Sequence, residues 1–291
     1  MSTVAAPAAA VPRRSNRRRV LRRVSVNAIG VLVFLVMLFP VYWMISTAFK
    51  TGTDILTVTP KWYPPSPTLS NFTDAIHRPY FWSSVKNSLI VVGVVVGLSL
   101  GLGLLAALAI AKFHFYGRRA FIVLIILVQM VPLNALIIPL YLLLSDAHQV
   151  NKLTGVIVTY LSFVLPFTVW TLRGFILGVP KELEEAAMVD GSTRIGAFFR
   201  ILLPLVGPGL VATSIFAFIQ AWNEYLLAYV LLTPPQKQTV TVWLAGFITA
   251  RGTAWGQLMA GATLVALPVV IFFLLVHRRI AFGLTAGAVR G

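Results

Sequence analysis

Along most of this chain the apolar positions do not alternate with polar ones; they run on. Six stretches, at 28–47, 88–111, 120–144, 154–176, 204–232 and 255–276, stay predominantly apolar. Crossing a hydrocarbon core about 30 Å thick takes about 20 helical residues at 1.5 Å each, and each stretch reaches or approaches that length. None follows the two-residue period of a barrel strand. The pattern predicts an all-α membrane protein with six transmembrane helices.

The stretches carry their own irregularities. Pro40 lies inside the first, Gln129, Pro132, Asn134 and Pro139 inside the third, and Pro166 inside the fourth. Pro40 predicts a bend, because it frees a backbone carbonyl that neighbouring groups must satisfy, and the third stretch reads as unusually polar and broken. Gly93, Gly97 and Gly101 recur every four residues in the second stretch, with Gly103 beyond. Small residues at that spacing predict a helix face for close packing.

The connecting segments differ in kind. Residues 1–26 are rich in Ala and Pro, then strongly basic, with no apolar period, which predicts a segment that is either unstructured or laid on anionic headgroups. The first stretch outlasts a signal-peptide core and lacks a small-x-small cleavage site, so it reads as a span. Residues 49–87 are broken by Pro60, Pro64, Pro65 and Pro67 and carry Trp62, Tyr63, Tyr80, Phe81 and Trp82, aromatics suited to the headgroup interface. Residues 233–255, with Pro234, Pro235 and Arg251, read as the last outer loop, either a plain connector or a contact surface.

The segment 179–204 is unlike the rest. Pro180 suits the first turn of a helix, and Glu182, Glu184 and Glu185 follow where the positive end of its dipole favours them. Gly191 can end that helix in a left-handed cap, and Ser192 or Thr193 can start another. Ile195, Phe198, Phe199 and Leu202 then form an apolar stripe that Pro204 closes at the membrane. The prediction is a structured helix–turn–helix.

Composition sharpens this picture. Of 291 residues 58% are hydrophobic and only 11% charged, against about 25% charged in a soluble domain. The net charge of +16 invites a nucleic-acid reading, but its distribution removes it. With the N-terminus inside, Arg13, Arg14, Arg17, Arg18, Arg19, Arg22 and Arg23 share the inner side with Lys112, Arg118, Arg119, Arg173, Lys181, Arg194, Arg200, Arg278, Arg279 and Arg290. The outer side keeps Lys50, Lys61, Arg78, Lys86, Lys152, Lys237 and Arg251. That bias predicts an N-in/C-in topology.

Candidate chemistry is sparse. There is no cysteine, which excludes disulfides and thiolate metal sites. His77, His114, His148 and His277 have no metal-ligand spacing, no lysine follows a glycine as a phosphate loop requires, and no HExxH occurs. No catalytic residue, metal or cofactor is assigned. Glu224 is the one acid well inside an apolar stretch, and such acids are site candidates. With Asn223, Gln129 and Asn134 it is assigned either to a pathway through the membrane or to contact with a partner chain. An ion-gradient-driven secondary transporter is the alternative, but that class expects charges at the midplane and often inverted repeats.

Residues 185–204 read EAAMVDGSTRIGAFFRILLP: Glu-Ala-Ala, three residues, Gly, nine residues, Ile-x-Leu-Pro. This resembles the EAA motif of importer-type ATP-binding-cassette (ABC) permeases. Over 27–291 the chain is similar to carbohydrate importers of that family, near the second permease subunit of the maltose transporter. The resemblance is carried by FKTGTDI at 49–55, QMVPLNALIIPLY at 129–141, AWNEYLLA at 221–228 and the tail GLTAGAVRG at 283–291. It implies a type I ABC importer permease fold in a bacterial inner membrane. The basic segment would come first, then the six-helix permease domain at 27–280 and a cytoplasmic tail at 281–291. It also implies a heterodimer with a second permease, two copies of an ATP-binding subunit and an extracytoplasmic sugar-binding protein. Glu185, Ala186, Ala187, Asp190 and Gly191 would form the coupling loop that docks on the ATP-binding subunit. There the small alanines let the helix sink into a groove, and Glu185 offers its carboxylate to an arginine.

Overall fold

A computed structural model describes residues 15–277. The first helix, α1, runs Ser15–Ala48, so it starts inside the segment expected to be unstructured or laid on headgroups. Once the apolar turns form, extending a helix backward adds one hydrogen bond per residue fixed, and arginines are good helix formers. Short helices α2 (Gly52–Ile55) and α3 (Ser70–His77) follow, then the long α4 (Phe81–Lys112). Next come α5 (Arg118–Met130), α6 (Ile137–Asp146), α7 (Leu153–Leu177), α8 (Lys181–Val189) and α9 (Arg194–Ala197). The chain continues with α10 (Leu203–Asn223), α11 (Leu226–Leu231), α12 (Val240–Ala245) and α13 (Trp255–Val276). The tail at 281–291 lies outside the described residues.

Among the described residues, five helical segments are long and apolar enough to cross a membrane: 23–48, α4, α7, 194–223 and α13. A sixth crossing depends on α5 and α6, which are bent by 91° at their junction. Pro132 explains the break. It donates no hydrogen bond and pushes the residue before it out of the helical region, and Val131 is extended at φ −73°, ψ 123°.

The inner framework is α4 and α7 packed along their lengths, with α10 against both. Tyr160, Val91, Val95 and Leu231 are fully buried where these helices meet. Phe272 of α13 stacks on Phe218 with ring centroids 4.2 Å apart. In contrast α1 packs chiefly on α13, and its most apolar stretch buries none of its residues within the chain.

The glycine ridge behaves differently from its spacing. A Cβ added at Gly93, Gly97 or Gly101 would meet nothing within 4 Å, whereas one at Gly103 would sit 2.5 Å from Thr168 Cγ2 on α7. Of these four, only Gly103 serves close packing against the described residues, because α7 approaches α4 on that side.

Two further expectations change. The stretch 204–232 is not one helix: α10 ends at Asn223, Glu224 is extended, and α11 begins at Leu226. Nor does Pro204 close the preceding helix. A π-turn at Phe198–Leu202 joins α9 to α10, with the N–H of Leu203 bonding to the carbonyl of Phe198, and Pro204 sits in the first turn of α10. The wider turn leads into a position where the proline's missing N–H is harmless.

Outside the spans, the 233–255 segment is folded: α12 precedes a small antiparallel pair, Ile248–Thr249 with Gly252–Thr253. Arg78 ties it to α3, stacking 3.8 Å over the Phe247 ring and donating to the Gly246 carbonyl. Lys50, only 3% exposed, lies 4.1 Å over the Trp43 ring and donates to the Lys61 carbonyl. Burial lowers the pKa of both cations.

Candidate functional site

The segment between α7 and α10 forms the turn structure expected of it. Pro180 precedes α8, and Glu182 and Glu184 occupy its first turn. Its far end closes as a left-handed cap: Gly191 has φ +90°, Ser192 N–H bonds to the Ala187 carbonyl at 2.9 Å, and Gly191 N–H to that of Met188 at 3.1 Å. A side chain at Gly191 would be strained there. Thr193 Oγ1 then accepts from Gly196 N–H at 3.1 Å and starts α9.

One contact fixes α8 to the bundle. Lys112, in the last turn of α4, places Nζ 2.6 Å from Glu184 Oε1, with both side chains largely buried. Beside it a cavity of about 240 Å³ opens between α4, α8 and the π-turn, lined by Leu108, Lys112, Met188 and Phe198 among others. Glu185 also borders this cavity, and the remaining surface of α8 is open. Glu185, Ala186, Asp190 and Gly191 are exposed and Ala187 half-buried. Glu185 has no ion-pair partner among the described residues. An apolar rim continues this face: Val189 is 87% exposed and Ile195 71%. Of the expected stripe, Leu202 is buried and Phe198 partly so, while Ile195 and Phe199 face out. Helix α8 is thus held from behind and bare in front.

The polar residues of the spans divide into two groups. Gln129 and Asn134 flank the 91° bend, are exposed, and have no hydrogen-bond partner among the described residues. Asn223 is exposed at the end of α10. Glu224 is committed inside the chain. Its Oε1 accepts from Leu227 N–H at 2.8 Å, and its Oε2 from Ala228 N–H at 3.1 Å and from Tyr160 O–H at 2.6 Å. The carboxylate therefore caps α11 and ties it to α7. The Glu224 carbonyl also accepts from Thr241 Oγ1 at 2.7 Å.

Two partners escaped the sequence reading. Lys112 entered only as a topology charge, although a lone cation at a span end facing an acidic loop was a usable signal. Tyr160 gave none, since nothing local pairs it with an acid 64 residues away.

A multi-span helical bundle whose one carboxylate-rich, capped helix is held out between two spans is the layout of a transport subunit. The chain belongs to the family of binding-protein-dependent transport system inner membrane components, whose pattern matches residues 99–285. It is 45% identical to the diacetylchitobiose uptake system permease protein of Streptomyces coelicolor, over 94% of this chain and all of that one. It is 32% identical to the trehalose/maltose transport system permease protein of Thermococcus litoralis, over 94% of this chain and 99% of the relative. In fold it is similar to a chain of a bacterial ABC transporter involved in import of the acidic polysaccharide alginate. That match has a TM-score of 0.74 at 22% identity, covering 92% of this chain and 99% of the other. The protein is a multi-pass inner-membrane permease subunit of a binding-protein-dependent importer and not an enzyme. The gradient-driven alternative is not favoured.

Proposed function

We propose that this permease carries a di- or oligosaccharide into the cytoplasm, paired with a second permease chain and driven by two copies of an ATP-binding subunit. An extracytoplasmic binding protein delivers the sugar. Relatives named for diacetylchitobiose, arabinooligosaccharides and trehalose/maltose support the solute class. The charge bias supports an N-in/C-in orientation, which puts α8 in the cytoplasm.

The observation that carries this reading is the bare face of α8. Glu185 offers a carboxylate with no ion-pair partner among the described residues. Ala186 and Ala187 let a second surface approach the helix backbone, and Val189 and Ile195 supply apolar area at the rim. Such a face, backed by the Lys112–Glu184 pair, suits a cleft in an ATP-binding subunit and passes that subunit's closure to α4 and α7. Gln129, Asn134 and Asn223 are assigned to the pathway or to the partner permease, and Glu224 to holding the end of α10 in place.

The test is reconstitution of the whole importer in proteoliposomes, with uptake and ATP hydrolysis measured together. Glu185→Arg and Gly191→Asp should leave the complex inserted and hydrolysing ATP with uptake lost. Wild-type uptake by both variants would refute the coupling role. Calorimetry of candidate sugars with the cognate binding protein identifies the solute.

A further inference from the structure

Behind the α4–α5 turn lies a cavity of about 730 Å³ that the coupling reading does not use. Arg118, Arg119, Arg173 and His114 line it, together with Phe115 and Tyr116, and no acidic residue does. Three guanidinium groups around one opening, with no carboxylate between them, repel each other unless an anion joins them. The Nε of Arg173 sharpens the point. It is buried and has no acceptor among the described residues, whereas Arg118 spends its own Nε on the Ile110 carbonyl at 2.8 Å. A buried donor without an acceptor calls for an unseen partner.

The backbone adds to the same field. Gly117, at φ +85°, turns the chain so that α5 starts in the cavity wall. The first N–H groups of a helix have no partner within it, and its dipole places partial positive charge there. The next turns of α5 expose Phe121, Leu124 and Leu127, an apolar flank running from the basic opening toward the membrane interior. Tyr116 is fully exposed at the rim, at the level where aromatic rings favour the headgroup interface.

We infer that this pocket binds the phosphate of an anionic phospholipid, with the arginines and the α5 amino end on the headgroup and the acyl chains along α5. A free anion would satisfy the arginines but leave that flank without a role; a lipid fits both parts.

The experiment uses the complete importer purified in a neutral detergent, with its thermal midpoint followed against three probes. These are dioctanoylphosphatidylglycerol, dioctanoylphosphatidylcholine and inorganic phosphate. Phosphatidylglycerol should raise the midpoint and the other two should not. Arg119→Gln and Arg173→Gln should each raise the half-effective lipid concentration about five-fold, by the usual weight of one arginine at an anionic surface. Lys86→Gln, on an exposed residue outside the pocket, should leave it unchanged. If Arg173→Gln does not assemble, the exposed Arg119 decides alone. An unaltered response in the arginine variants overturns the proposal. So does inorganic phosphate matching the lipid, which would make this a free-anion site. The third contrary result is dissociation of the subunits by Arg119→Glu with the lipid response intact, which would mean a partner's carboxylate fills the pocket.

Discussion

Lys112 Nζ and Glu184 Oε1 lie 2.6 Å apart, joining the last turn of α4 to the first turn of α8 across 72 residues of sequence. The covalent route from α7 to α8 passes through Gly178, Val179 and Pro180, a joint outside both helices. The ion pair supplies a second attachment, so a push on α8 reaches the α4–α7 core instead of bending the joint.

Removing either partner should therefore affect coupling before assembly. Lys112→Met and Glu184→Gln each lose a largely buried, charge-assisted bond, costing about 1–3 kcal/mol. The expected outcome is a fall in solute imported per ATP hydrolysed, read in proteoliposomes. The exchange Lys112→Glu with Glu184→Lys should recover part of that ratio, and failure of the exchange to do better than either single variant would argue against the pair.

Tyr160 and Glu224 make a test of stability. Tyr160→Phe removes one of three bonds to the carboxylate and should cost about 1–2 kcal/mol. Glu224→Ala also uncaps α11, which adds about 0.5–2 kcal/mol, so it should unfold at the lower temperature in detergent. The reverse order would mean that the cap contributes little.

Gly103 and Thr168 offer a steric pair. Gly103→Ala puts a methyl group 2.5 Å from Thr168 Cγ2 and should destabilise by about 1–3 kcal/mol, the usual range for overpacking. Thr168→Ser deletes that methyl while keeping the hydroxyl bonded to the Val164 carbonyl, so the double variant should regain most of the loss. Gly97→Ala, with nothing within 4 Å, should leave the isolated chain slightly more stable, by about 0.5–1 kcal/mol. Thermal melts of the purified chain separate these outcomes.

Between α1 and α3, the hydrogen bond from Lys61, then that from Thr51, holds the Asp54 carboxyl below its ordinary pKa. A depressed folded-state value means the contribution is complete above the ordinary aspartate range, about 3.9, and is lost as pH falls through the lower folded value. Lys61→Met should move the Asp54 titration up toward about 3.9, followed through the carboxyl resonance of carbon-labelled aspartate. An unmoved titration would show that Lys61 is not the cause.

Much of this was legible before any coordinates. The apolar run lengths locate the spanning helices, and the Pro180, Gly191 and Thr193 signals locate both ends of the loop helix, because caps are written within four residues of sequence. What failed was non-local. Gly93, Gly97 and Gly101 share a face with the right spacing, yet their spacing cannot say whether a neighbour from the same chain lies there. Glu224 looks like a lone intramembrane acid until α7 and α11 bring Tyr160 and two amide groups to it. The break after Asn223 was hidden because the residues beyond it stay apolar. The early start of α1 was missed because a basic helix without an apolar stripe has no periodic signature.

The π-turn at 198–202 fixes an angular phase. An α-helix advances about 100° per residue, so one residue accommodated in a wide turn offsets everything before it from everything after it by roughly that angle. Ile195, on the exposed rim beside α8, and the faces of α10 inside the bundle are therefore clocked against each other like two gears on one shaft. A single-residue deletion within 198–202 would keep every side chain needed at both ends and still turn the rim away from whatever it meets.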